Sequence, residues 1–191
     1  MFYLGTHRPH WLALARVPLF VSDRTLKGRK SFPVAVAPWV LDSGGFSELS
    51  INGTWVTTAR EYASRARVYS DEIGSMDWCA PQDWMCEPHI LEKTGLTIEE
   101  HQRRTIDNLI ELRSLEPDLP WVPVLQGWRR ADYLAHVEAY RLRGIDLESE
   151  PVVGVGTVCR RQATKEGIRI IGSIAKLGIR VHAFGFKRIG L

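Results

Sequence analysis

The sequence predicts an α/β protein folded as a TIM-type (β/α) barrel, incomplete at about six strands. Short β-branched apolar runs alternate with helix-like stretches along most of the 191 residues. Such alternation implies parallel strands joined by right-handed crossovers. The runs are apolar on both alternating faces, as strands buried on two sides are. Polar residues also stand at the C-terminal ends of several different runs, namely Asp42 and Ser43, Gln82 and Asp83, Gln126, and Thr157. A barrel assembles its site from many strand ends in this way. An open doubly wound sheet is the competing architecture, and the absence of GxGxxG from the first strand-to-helix turn weakens its dinucleotide-binding version. A closed barrel needs eight strands and typically about 250 residues. Residues 1–191 are therefore expected to form a single domain that lacks the C-terminal strands.

The strand candidates, in order, are residues 2–5, 39–43, 76–82, 121–127, 152–158 and 181–186. Between them lie four helix candidates. Thr58–Tyr69 opens with a capping box, Thr58 followed three residues later by Glu61. Thr97–Ser114 opens the same way, with Glu100, and carries Ile98, Ile106, Leu109, Ile110 and Leu112. Arg130–Arg143 runs into Gly144, and Gln162–Leu177 into Gly178, each a glycine placed to end a helix.

Composition excludes several classes. With 25 Lys and Arg against 22 Asp and Glu the net charge is +3, and 45% of residues are hydrophobic, which excludes disordered and fibrous chains. No apolar run approaches the ~18–20 residues of a membrane span. The opening stretch lacks a basic leader and is interrupted by Pro9 and Pro18, which argues against a signal peptide. Cys79, Cys86 and Cys159 are odd in number and far apart, so the expected setting is reducing and cytoplasmic. The near-neutral balance argues against a purely electrostatic nucleic-acid arm. Cations do cluster at Arg103-Arg104, Arg129-Arg130, Arg160-Arg161 and Lys187-Arg188, and spacing alone reads these first as solvated helix surface.

Four segments carry chemistry. In Leu41-Asp42-Ser43-Gly44-Gly45-Phe46 a carboxylate and a hydroxyl end a buried strand. The two glycines let a flat ligand approach backbone N–H groups, and Phe46 offers a stacking face. A turn in which Asp42 caps local N–H groups explains the same residues equally well. In the segment from Met76 to Pro88, three acids, a glutamine and two tryptophans crowd one strand end. A carboxylate enclosed by aromatics can accept paired N–H bonds from a nucleobase edge. Cys79, Cys86 and His89 lack metal-ligand spacing, so buried thiols are expected rather than a metal site. Gln126 in VLQGW offers one acceptor and two donors, and the glycines of GVGTV, with Gly156 and Thr157, expose backbone to the same mouth.

Taken in order, LDSGGF, the Asp83 segment, VLQG, GVGTV and HAFGF, spanning roughly residues 39–187, resemble the queuine/archaeosine tRNA-guanine transglycosylases, and especially their DNA-acting relatives. The resemblance implies a (β/α)8 barrel that exchanges guanine for a 7-deazaguanine, in DNA or tRNA, without cutting the backbone and without a cofactor. It implies Asp42 as acid/base beside the glycosidic bond. Ser43 and Asp83 would hold the base edge, with Gly44 beside them, and Gln126 the carbonyl side. Gly156 and Thr157 would give backbone contacts, and Phe46 and Phe184 would sandwich the ring, although the position of Phe184 is usually methionine. Arg160, Arg161, Lys187 and Arg188 would meet phosphates. Two departures stand out. The family's zinc-binding cysteine cluster has no counterpart, and its nucleophilic aspartate falls on the strand after HAFGF, past Leu191. Asp42 or Asp83 could serve in a hydrolytic variant. The alternatives are a non-catalytic half-site whose exposed sheet edges take a second copy or a complementing chain that brings the nucleophile, and an unrelated α/β metabolic enzyme with a phosphate site near Gly154–Arg161.

Overall fold

A computed structural model describes residues 1–161 and 164–186. Among the described residues there are seven strands: β1 (Leu4–Thr6), β2 (Leu19–Ser22), β3 (Trp39–Asp42), β4 (Met76–Cys79), β5 (Val124–Leu125), β6 (Val153–Val155) and β7 (Val181–Ala183). The helices are α1 (Asp23–Leu26), α2 (Gly45–Asn52), α3 (Ala59–Ile73), α4 (Pro88–Thr94), α5 (Ile98–Leu115), α6 (Arg130–Leu142) and α7 (Lys165–Ala175). All strand pairs are parallel, β1-β2-β3-β4 forming one sheet and β5-β6-β7 another. The sheets meet where Cys79 bridges Trp121, with Cys79 N–H donating to Pro120 at 3.0 Å and Val122 N–H to Cys79 at 3.1 Å. The strands thus follow one another in chain order. No ladder among the described residues joins β7 to β1.

The α/β class and parallel pairing agree with the sequence; the strand count of about six needs correcting to seven among the described residues. The missed strand is β2, whose LFVS run lies in the opening stretch close to Pro18. Predicted runs 76–82 and 121–127 shorten because Pro81 and Pro123 have no N–H to give a ladder. The run 181–186 stops at Ala183, where the chain turns. The three long helix starts fall within a residue of expectation. Both partners of the Thr58–Glu61 capping box are in place, and Thr97 accepts from Glu100 N–H. Gly144 sits just past α6 in the left-handed region at φ 76°, as a helix stop requires.

The central strands divide their side chains between two apolar clusters. Leu19, Val21, Trp39, Leu41 and Val155 face the helices, packing with residues such as Tyr62, Ile106, Tyr133 and Ile170. Val40, Trp78, Val122 and Val124 face the opposite way, with Tyr3, Phe20 and Phe184. On that inner side the ring of His182 on β7 lies 5.5 Å from Tyr3 and 5.9 Å from Phe20, and Trp78 reaches Tyr3, Phe20 and Phe184. The sheet therefore curls until Tyr3, just before β1, touches the last strand through its side chain. Residues at or after the C-terminal ends of β2, β3, β4, β6 and β7 share one rim, as Ser22, Asp42, Asp83, Gly156 and Phe184 line the same cavity.

Trp78 is the hub of this inner cluster and is nearly buried. Trp78→Ala is expected to destabilise the fold by about 3–5 kcal/mol, measured by urea denaturation. A loss below about 1 kcal/mol would show that the first and last strands do not depend on this contact.

Candidate functional site

At the rim, β3 ends in Asp42 beside Ser22, its register partner at the end of β2. Ser22 hydrogen-bonds the Asp42 carboxylate, and Gly44 N–H donates to Asp42 Oδ2 at 3.1 Å. Gly44 turns the chain at φ 80°, a region that suits glycine, and α2 starts at the next residue. Ser43, buried, donates to Asp83 Oδ1 at 3.4 Å. Asp42, Gly44, Phe46, Asp83, Glu87, Gly156, Thr157 and Phe184 are among the residues lining a cavity of about 190 Å³. That is the scale of one small heterocycle, below the several hundred Å³ of drug-sized pockets.

Asp83 follows β4 on an irregular loop that α5 holds from one face. Gln82 N–H donates to Asn108 at 2.8 Å, Trp84 N–H to Thr105 at 2.9 Å, and His101 hydrogen-bonds Met85 O at 2.7 Å. These three helix residues are spaced four and three apart, one stripe of α5. Beneath the cavity a polar chain continues from Asp83. The Gln126 amide donates to Asp83 Oδ2, and Thr157 Oγ1 stands 2.6 Å from Gln126 Oε1 and 3.2 Å from Glu87 Oε2. Thr157 also accepts Cys86 N–H at 3.0 Å. The Gln126 backbone N–H donates to His136 at 2.9 Å, an imidazole that burial keeps neutral, its pKa pushed down to about 3.

Two backbone features make room for this chain. A Cβ at Gly156 would lie 2.1 Å from Gln126 Nε2, so only glycine lets the glutamine cross there. Thr157 has φ 56°. A β-branched residue in the left-handed region is strained and is held there by its surroundings, and such outliers concentrate at functional sites.

The electrostatics follow from enclosing two carboxylates together. Burial raises the pKa of Asp83 to about 7, and the neighbouring Asp42 charge adds to the rise, against hydrogen bonds from Gln126 and Ser43. Burial likewise raises Asp42, and the Ser22 and Gly44 hydrogen bonds oppose it. Burial thus keeps Asp83 partly protonated up to neutral pH beside a charged Asp42, so the pair can both accept N–H bonds and exchange a proton.

Most of the residues singled out in the sequence converge here. Asp42, Gly44, Phe46, Asp83, Gly156, Thr157 and Phe184 share the cavity wall. Ser43 lies behind it on Asp83. Gln126, expected to meet the ligand, is fully buried with its amide taken up by Asp83 and Thr157; it holds Asp83 in place. Arg161 lies over the Trp128 ring at 4.5 Å and donates to the Trp128 carbonyl. Lys187, Arg188 and the Arg160 side chain lie outside the described residues. The sequence reading passed over Glu87, Ser22 and the His101, Thr105, Asn108 stripe. A polar stripe on the inner face of an otherwise amphipathic helix was the available signal. Among the described residues no three His, Cys, Asp or Glu side chains are grouped to hold a metal ion.

The protein-family model described as DpdA, DeoxyPurine in DNA protein A, matches residues 1–191. No curated protein matches the chain.

Because Asp83 is raised toward 7 in the folded protein, the folded state binds more protons than the unfolded state between about pH 4 and 7. Stability from this group is therefore present at low pH and lost as pH rises through that window. Asp83→Asn removes the buried charge, so its stability relative to the parent is expected to be greater at pH 8 than at pH 5. Thermal melts at both pH values check this; an unchanged difference would contradict the raised pKa.

Proposed function

Because this chain belongs to the DpdA family, DeoxyPurine in DNA protein A, a family tied to 7-deazaguanine modification of DNA, we propose that it takes a guanine of DNA into the cavity and exchanges it for a 7-deazaguanine. The observation that carries this reading is the pair of raised carboxylates, Asp42 and Asp83, in one base-sized cavity. The fold in this reading is a (β/α) barrel open by one strand between β7 and β1, with the base at its C-terminal mouth.

Ionised Asp83 accepts the adjacent N–H groups of a guanine edge, an arrangement that desolvation strengthens. Gln126 and Ser43 fix its two oxygens for that purpose. Phe46 and Phe184 cover the ring faces, and the flipped base exchanges its stack in the duplex for these contacts. Asp42, whose proton affinity burial raises, passes a proton to the departing guanine as the bond between base and sugar breaks. It takes a proton back from the incoming 7-deazaguanine when the new bond forms. Trapping the sugar carbon between these steps calls for a further carboxylate.

A second reading is a base-binding half-site completed by another chain. It is favoured by β1 and β7, whose outer edges carry no ladder among the described residues. In that case the chain alone binds guanine and exchanges nothing until the partner is added.

The test is incorporation of radiolabelled guanine into duplex DNA by the protein, alongside calorimetry with free guanine. Incorporation is expected. Asp42→Asn should keep guanine binding and lose about 100-fold or more of the exchange rate, and Asp83→Ala should lose binding. Absence of both incorporation and base release would overturn exchange, and unchanged guanine affinity in Asp83→Ala would overturn the role of Asp83.

A further inference from the structure

Beside the cavity lies a second hollow of about 240 Å³, lined by Asp23, Arg24, Lys27, Ser43, Ser47 and Thr57 among others. Ser47 lines both. The two are also joined through Gly44, a wall residue of the first: a Cβ there would lie 2.8 Å from Arg24 Cγ and 3.3 Å from Arg24 Cδ. The aliphatic stem of Arg24 thus lies across the cavity rim. Arg24 opens the run Arg24-Thr-Leu-Lys27-Gly-Arg29-Lys30, four cations in seven residues, and no acid follows it before Asp42.

The surrounding carboxylates leave this charge available. Asp23 is paired with Arg65 at 2.7 Å and accepts from Tyr69 at 2.9 Å. Glu48 accepts the N–H groups of Val56 and Thr57 at 3.1 and 3.2 Å. Lys27 donates to Thr57 at 3.3 Å and lies within electrostatic reach of Glu61. Arg24 and Lys27 form no ion pair among the described residues, and Arg24 is exposed. By contrast Arg103, Arg104, Arg113, Arg141 and Arg143 are each paired with an acid.

We infer that Arg24 and Lys27 form the phosphate-binding surface for the DNA strand whose base enters the neighbouring cavity. The inference rests on the reading of that cavity as a base site. A base and its phosphate are joined through a single sugar, so a base held against Asp83 leaves its phosphate at the rim, where Arg24 lies. Contacts of this kind position the strand and carry no sequence information.

The test is binding of a labelled DNA duplex by the parent and by Arg24→Met/Lys27→Met, which removes both charges and keeps an unbranched stem at position 24 to cover Gly44. Each phosphate contact contributes about 0.7–0.9 to the slope of log affinity against log salt. The double variant should therefore lose about 1.4–1.8 from the slope and roughly 20- to 60-fold in affinity at 0.1 M salt. Free-guanine affinity by calorimetry should be unchanged, as should the slope for Arg141→Met. An unaltered slope, an equal fall in Arg141→Met, or a parallel fall in guanine affinity would overturn the assignment. So would tight binding of an RNA duplex with no binding of DNA. Should the parent fail to bind guanine while the double variant still shows the lowered slope, the base-site reading fails and the phosphate surface stands.

Discussion

Two carboxylates, Asp42 and Asp83, are closed into one cavity of about 190 Å³, and the surrounding architecture follows from the cost of keeping them there. A buried carboxylate without partners is strongly disfavoured. Each is therefore met by donors from a different part of the chain: Ser22 and Gly44 for Asp42, Ser43 and Gln126 for Asp83. These hydrogen bonds moderate the penalty without removing it, so both groups titrate above the usual carboxylate range. What would be a liability in a core is useful in a site, because it places proton transfer and N–H recognition near neutral pH.

The constraint explains features that look unrelated along the chain. Gly156 must lack a Cβ because Gln126 crosses it to reach Asp83, and Thr157 keeps a strained backbone because its hydroxyl links Gln126 to the loop at Cys86. His136 stays neutral beneath Gln126, and the α5 stripe of His101, Thr105 and Asn108 fixes the loop that carries Asp83. The apolar work is kept apart from this polar layer. The inner aromatic cluster around Trp78 holds the curled sheet, and the helix-facing cluster anchors the crossovers. Parallel strands in chain order bring the C-terminal ends of β2, β3, β4, β6 and β7 to one rim, which is where the polar residues stand.

The fold class was legible because two-sided burial writes continuous apolar runs, and because the Thr58–Glu61 and Thr97–Glu100 pairs and Gly144 mark helix ends chemically. β2 was not, since four residues close to a proline in a mixed opening stretch carry little periodic signal. The strand-end residues Asp42, Asp83, Gly156 and Thr157 were legible by their position after apolar runs. Their partners were harder. Ser22 lies on the unrecognised strand, and Glu87 sits in a loop with no period. The task of Gln126, supporting Asp83 instead of lining the cavity, depends on packing against Gly156 that no local pattern encodes. The basic run from Arg24 to Lys30 was visible as charge, yet its placement against Gly44 is a property of the tertiary structure.

The most direct measurement is an NMR titration of the Asp83 side-chain carboxyl carbon in selectively labelled protein, with and without guanine. In the free protein the expected midpoint is near 7, moving down in Asp42→Asn as the neighbouring charge is removed, and moving down again when guanine binds and donates to the carboxylate. An Asp83 that titrates near 4, indifferent to both changes, would contradict the coupling of these two carboxylates in one recognition site.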